Sequence, residues 1–295
     1  MSKLTEILGL FCYDPETDGA NTFNIQKALN ENWEKIDAAL GAVVRPNELD
    51  NAYFVGGGTG WGVFPVNQRG VSGTISTSGY FIDRWKLVSG TVQITAAGLV
   101  LNGTIAQILP SSIGSIYTAT ALTTEGLLTC QYDDVSRTFT VTGTGQTFVF
   151  AKLERGVGQT AAYQDANGEW QQLPQPDSDY AIQLEKCQAY LLDITPDRKF
   201  NASYFRFVSG QDAIFMVPIP TTMRTIPIVI CNPSQIQIAI KGTSYATPES
   251  VSIVTYGNNY VTIICKIPDT GLTEYAVCDF RIAEDGSKVL LSAEL

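Results

Sequence analysis

From Asn51 onward, threonine and serine alternate with aliphatic and aromatic residues in short runs, and glycine interrupts those runs every few positions. Thr74-Ile75-Ser76, Thr91-Val92-Gln93-Ile94-Thr95 and Thr138-Phe139-Thr140-Val141-Thr142 put polar groups on one face and apolar groups on the other. Period two belongs to a half-buried strand, because successive side chains of extended backbone point to opposite faces. Gly70, Gly73, Gly79, Gly90, Gly98, Gly103 and Gly126 supply the punctuation. Many short strands at that spacing predict a β-sandwich or barrel. Phe148 to Glu154 closes this first β region.

A second β region runs from Tyr204 to Leu291. Its predicted strands are Ile214–Val217, Ile226–Cys231, Gln235–Ile240, Val251–Tyr256, Tyr260–Ile267 and Tyr275–Ile282. Strict alternation over Gln235–Ile240 predicts an antiparallel strand with one wet face. Between the two regions, Gly168, Pro174 and Pro176 mark a connector, followed by a short helix over Tyr180–Leu192. The organisation read from the chain is therefore 1–50, 51–166, 167–200 and 201–295. The fold class is mainly β, with an N-terminal helix ahead of two antiparallel β-sandwich domains.

That helix is predicted from Ile25, Leu29, Trp33, Ile36, Leu40 and Val43, which recur every three or four residues in a heptad-like rhythm. Asn24 is its N-cap and Phe23 a staple residue, while Gly41 and Pro46 end it. A helix of about five turns is marginal alone. Its apolar face needs either its own domain or copies of itself.

Charge and composition remove several functions. The chain has no histidine, so a histidine-dependent triad, zinc site or acid/base is impossible. A net charge of −10 argues against a nucleic-acid partner, which needs a basic stripe for the phosphates. A hydrophobic content of 44% suffices for a core and argues against disorder. Glu6 and Asp14 break the apolar start, so no signal peptide is read. Nowhere do about 18 apolar residues run together, so no membrane insertion is expected. The six cysteines lack CxxC spacing and several sit in apolar runs, as reduced, buried thiols of a protein made in a reducing cytoplasm would.

The chemical motifs resolve into turns and connectors. Asp133-Asp134 with Arg137 reads as a solvated turn rather than a catalytic pair. Asp165-Ala166-Asn167-Gly168 lacks the spaced oxygens and terminal glutamate of a calcium loop. Gly56 to Gly60 lacks the Lys-Ser/Thr ending of a phosphate loop and reads as a connector. No catalytic residue, metal or cofactor is predicted. Carbohydrate binding needs only aromatic faces and orienting amides and hydroxyls, and the chain holds 4 Trp, 13 Tyr and 13 Phe. Trp61, Trp85, Tyr204, Tyr256 and Tyr260 are the aromatic candidates, with Asn258 and Asn259 in a predicted hairpin turn between the last two.

Thr22-Phe23-Asn24-Ile25 through Leu29-Asn30-Glu31-Asn32-Trp33-Glu34-Lys35-Ile36-Asp37 resembles the N-terminal helix of bacteriophage tail-fibre and receptor-binding proteins. Pro65-Val66-Asn67-Gln68-Arg69-Gly70 and Gly79-Tyr80-Phe81-Ile82-Asp83-Arg84-Trp85 are similar to the opening of a jelly-roll, carbohydrate-binding-like module in such proteins. Lys152-Leu153-Glu154-Arg155-Gly156 with Thr160 is similar to its closing strand, and Glu185 to Tyr190 to the short helix after it, with Ala189 where an arginine is often seen. Pro218-Ile219-Pro220, Met223 to Pro227 and Ser292-Ala293-Glu294-Leu295 resemble parts of the terminal domain.

The resemblance implies a non-enzymatic virion tail protein, a homotrimer that holds a host cell-surface glycan through a distal domain. Other tail or baseplate proteins would receive residues 1–20. A trimeric bundle would form on Ile25, Leu29, Ile36, Leu40 and Val43, with Asn32 near the seam setting register. Asn67, Arg69, Asp83, Arg84 and Trp85 are expected to be structural, with an Arg–carboxylate pair between adjacent strands near Trp85. The alternatives are a structural baseplate or fibre-linking protein and a polysaccharide-degrading tailspike.

Overall fold

The computed structural model describes residues 3–4, 10–13, 24–33, 44–57, 62–165, 167–195, 205–209, 212–240, 244–257, 259–268, 278–283 and 287–294. Two short strands, β1 (Lys3–Leu4) and β2 (Phe11–Cys12), pair antiparallel. A helical segment follows, with a wide π-type turn at Gln26–Asn30 that Asn24 starts through its backbone: its carbonyl accepts from Ala28 N–H at 2.9 Å.

The first β unit contains β3 (Gly73–Ile75), β4 (Gly79–Ile82), β5 (Trp85–Thr95), β6 (Gly98–Ile108), β7 (Tyr117–Thr123), β8 (Leu127–Thr129), β9 (Gln131–Asp133) and β10 (Thr138–Arg155). Hydrogen bonds join them into one antiparallel sheet in the order β3-β5-β6-β10-β7-β8, with β4 on β5 and β9 on β10. Two predicted runs, Thr138–Thr142 and Phe148–Glu154, are thus a single strand of 18 residues. A strand that long extends about 60 Å, so β10 serves two sets of neighbours. Its first part lies between β6 and β9; beyond Phe148 it pairs with β7 and with the segment Glu48–Phe54. Register shifts at Thr144/Gln146 and Phe148/Phe150 allow the change, since a bulge adds a residue and bends the strand.

The outward threonines were legible in the alternation. Phe139 and Val141 are buried while Thr138, Thr140 and Thr142 are not. Trp85, Phe54, Phe139, Phe148 and Phe150 fill the core, each full burial contributing about 1.5–3 kcal/mol. In the connector read over Gly56 to Gly60, residues 58–60 lie outside the described residues; at Gly57 a Cβ would sit 2.0 Å from the Thr95 carbonyl oxygen, so close backbone approach demands glycine.

After the hairpin of β11 (Ala162–Gln164) and β12 (Trp170–Gln172) comes helix α1 (Tyr180–Gln188), capped by the Asp179 carboxylate, which accepts from Ala181 N–H. The helix stops short of its predicted end because Leu191–Asp193 forms β13 instead. The second unit continues with β14 (Phe205–Ser209), β15 (Asp212–Pro218), β16 (Ile228–Ile230), β17 (Ile236–Ile240), β18 (Ser244–Ala246), β19 (Ser250–Tyr256), β20 (Tyr260–Lys266), β21 (Cys278–Ile282) and β22 (Leu290–Ser292). Among the described residues these make three antiparallel sheets, β13-β22-β16, β14-β15-β20-β19 and β18-β17-β21. Phe215, Ile238, Ile263, Phe280 and Leu291 pack between them.

A buried polar cluster fastens the connector to β10. Lys152 Nζ donates to the Thr160 carbonyl at 3.0 Å, Thr160 Oγ1 at 2.8 Å and Gln175 Oε1 at 2.7 Å. Glu154 accepts from Thr160 N–H and pairs with Arg45 Nε at 3.1 Å. Lys152 and Glu154, 3.5 Å apart and both fully buried, therefore compensate each other where solvent cannot reach them.

Candidate functional site

Of the six glycan candidates, Trp61, Tyr204 and Asn258 lie outside the described residues. Tyr256 and Tyr260 do flank a β-hairpin, with Gly257 N–H donating to the Tyr260 carbonyl at 2.9 Å. Both side chains make contacts within the protein. Tyr256 donates its hydroxyl to the Met223 carbonyl at 2.7 Å, and the Tyr260 ring covers Gly257 so closely that a Cβ there would meet it at 2.5 Å. Asn259 is exposed and accepts from Ile219 N–H through its backbone. Trp85 is fully buried, edge-on to Phe54 and Phe139, with its indole N–H donating to the Asn51 carbonyl.

The motif residues converge at the junction between the two β units. Asn67 pins its loop by donating to the Val71 carbonyl at 2.6 Å. Asp83 and Arg84 form the two-residue turn between β4 and β5, with Arg84 at φ +70°. The expected Arg–carboxylate pair exists, but its carboxylates are not on a neighbouring strand. Arg84 Nε meets Asp50 at 3.2 Å and Nη1 meets Glu294 at 2.9 Å; Nη2 donates to the Ile108 carbonyl at 2.7 Å. Its guanidinium also stacks 3.4 Å from the centre of the Tyr190 ring. Arg69 reaches Glu294 at 3.5 Å. Asp83 accepts instead from Gln68, through the backbone N–H at 2.9 Å and the side-chain amide at 2.7 Å. Gln68 in turn donates to the Leu191 carbonyl and accepts from Asp193 N–H. Asn51 N–H donates to Gln183 of α1.

Burial pushes the Asp83 carboxyl up to about 7, against the lowering effects of Gln68 and Arg69. Its ordinary value is 3.8. A carboxyl raised on folding binds its proton more tightly in the native state, so its contribution to stability is full below pH about 4 and is lost as pH rises towards 7. Three units correspond to roughly 4 kcal/mol. Chemical denaturation at pH 4.5 and 7.5 should show the wild-type advantage over Asp83→Asn shrinking at the higher pH. At pH 4.5 the variant should already be weaker by about 1–3 kcal/mol, because its amide turns a donor towards the Gln68 amide. A pH-independent difference would refute the titration of Asp83.

The sequence did not reveal a groove of about 540 Å³ beside β9 and the start of β10. Register pairs Thr138 with Asp133 and Thr140 with Gln131, so hydroxyls, a carboxylate and an amide stand side by side. Tyr117, Cys130, Tyr132 and Ser136 complete the lining. The Tyr117 and Tyr132 rings meet edge to face at 5.1 Å. Both hydroxyls are tied, Tyr117 donating to the Tyr132 carbonyl and Tyr132 to Asp134. Asp133 accepts from Ser136 Oγ at 2.7 Å and from Val135 N–H at 3.1 Å, which holds its carboxyl below the usual range. Asp134 is lowered likewise, first by the Ser112 hydroxyl. A glycosidase pair needs one carboxyl pushed up to act as acid, and this pair has none.

Asp165 forms the plain turn read from the sequence, accepting from Asn167 and Glu169 N–H. Cys187 and Cys265 are buried, and burial raises both thiols. Among the described residues no three Cys, Asp or Glu side chains converge as metal ligands, and no helix is long and apolar enough to cross a membrane.

At the N-terminus, Ile25, Leu29 and Trp33 are 61%, 43% and 64% exposed, while Ile36, Leu40 and Val43 lie outside the described residues. Asn32 is spent within its own chain: its side chain accepts from Phe11 N–H at 2.7 Å and donates to the Phe11 carbonyl at 2.9 Å. The same amide also donates to the Ala28 carbonyl at 3.1 Å. No known family, curated protein or solved structure matches this chain.

Proposed function

We propose that this chain is a trimeric receptor-binding fibre protein of a bacteriophage tail, or of a phage-derived injection or bacteriocin particle, attaching to host cell-surface glycans without catalysis. The observation that carries the reading is the groove at β9–β10, where hydroxyl, amide and aromatic groups meet and both nearby carboxylates are held ionised, Asp133 by its own turn and Asp134 first by Ser112. That is an equipment for holding sugar rather than cutting it. Ile25, Leu29 and Trp33 leave an apolar face that partner helices of a trimer would cover. Three sites per fibre and several fibres per particle turn weak contacts into avidity. Residues 1–20 would dock on other tail or baseplate proteins.

The junction around Arg84 favours a second reading, a structural fibre-linking protein, because Arg84 and Arg69 couple the two β units through Glu294. A host-glycan array combined with a reducing-sugar assay separates the readings. Binding without sugar release is the expected result; sugar release would replace it with a tailspike, and neither with a linker. The trimer is tested by light scattering, where a mass near three times 32.0 kDa is expected and a mass near one chain would overturn it.

A further inference from the structure

We infer that the β9–β10 groove takes an uncharged glycan segment and that Asp133 makes it reject acidic sugars. This rests on the attachment reading above and names the ligand class. Neighbouring strands lie about 4.8 Å apart, so Thr140 and Gln131 present a hydroxyl and an amide across one register pair, and Thr138 and Asp133 a hydroxyl and a carboxylate across the next. A row of neutral donors and acceptors closed by one carboxylate matches vicinal sugar hydroxyls, which both donate and accept. The half-buried Tyr117 supplies the apolar wall, held in place by its hydroxyl's bond to the Tyr132 carbonyl and by the buried Tyr132 ring behind it.

The groove lining contains no cation. Of the two nearby arginines, Arg155 is paired with Glu48 at 2.7 Å, and Arg137 keeps its charge but turns its guanidinium to the Pro110 carbonyl, outside the lining. Within the lining an anionic ligand would therefore meet the Asp133 carboxylate and no cation. That carboxylate stays ionised, since Ser136 and Val135 stabilise its charged form.

The test uses the full chain on an array of neutral oligosaccharides and matched sialylated or uronic-acid members. The unaltered protein should bind neutral members. Thr140→Val combined with Gln131→Ala should weaken that binding about tenfold or more, from the loss of two hydrogen bonds. Asp133→Asn keeps the acceptor for Ser136 and should raise binding of acidic members roughly fivefold by removing one like charge. Thermal melting of each variant accompanies the array; should Asp133→Asn loosen its turn, the Thr140/Gln131 pair, which leaves that turn alone, decides. Neutral binding untouched by that pair would overturn the groove while leaving glycan attachment standing. A wild-type preference for acidic members would overturn the ligand class. No glycan binding at all would overturn the attachment reading together with the site.

Discussion

Arg84→Met should lower folding stability by roughly 3–5 kcal/mol, the cost of breaking a buried ion pair from one side. Methionine keeps much of the side-chain length but leaves Asp50 without its cation, Glu294 with only the more distant Arg69 at 3.5 Å, and the Ile108 carbonyl without its donor. The Tyr190 ring also loses the guanidinium stacked on it. Urea denaturation measures the loss. The double variant Arg84→Met with Glu294→Gln should recover part of it, because the uncompensated charge goes with the glutamate. The cycle should give a coupling of about 1–3 kcal/mol. Strict additivity would mean that Arg84 acts through its turn and not through Glu294. Lysine is no substitute, since one ammonium cannot meet two carboxylates and a carbonyl in a planar fork.

Gly103→Ala should cost roughly 2–5 kcal/mol, combining backbone strain with overpacking. Gly103 in β6 faces Gly90 in β5, and both have positive φ, +147° and +80°. A Cβ on Gly103 would lie 2.1 Å from the Ser89 carbonyl oxygen, and one on Gly90 would lie 2.1 Å from that of Asn102. Those are backbone atoms of a paired strand, so relief requires β5 and β6 to separate. Gly145→Ala is the control: its φ is +105° but nothing lies within 4 Å of the new Cβ. It should cost only about 1–2 kcal/mol, the strain alone. Equal melting temperatures for the two variants would remove close strand approach as the cause.

The two positions differ in how far the sequence announces them. Gly90 and Gly103 stand out as breaks in alternating runs, and their role is local to one strand pair. Arg84 breaks a local rule, since a two-residue hairpin turn with positive φ ordinarily selects glycine or asparagine. What keeps arginine there is a carboxylate 210 residues further along the chain. No spacing pattern reports a contact at that separation. The groove was hidden for the same reason. Thr138 and Thr140 read correctly as outward-facing, but alternation does not say that Gln131 and Asp133 pair with them or that Tyr117 arrives from β7. The aromatics at Tyr256 and Tyr260 show the converse, a turn legible from Asn and Gly in which Tyr256 packs on the core and the Tyr260 ring covers Gly257 of the same hairpin.

Local residue patterns specify the predominance of antiparallel strands, the polar outer face of Thr138–Thr142, the plain turn at Asp165 and the hairpin at Tyr256–Tyr260. Each depends on residues within a few positions of one another, where side-chain direction and turn chemistry act directly. Long-range packing is what makes β10 one strand serving two sets of neighbours, closes Glu294 on Arg84 and opens a groove beside β9. These follow from strand pairing and burial between distant segments, whose partners are chosen by the whole packed chain and not by any local period.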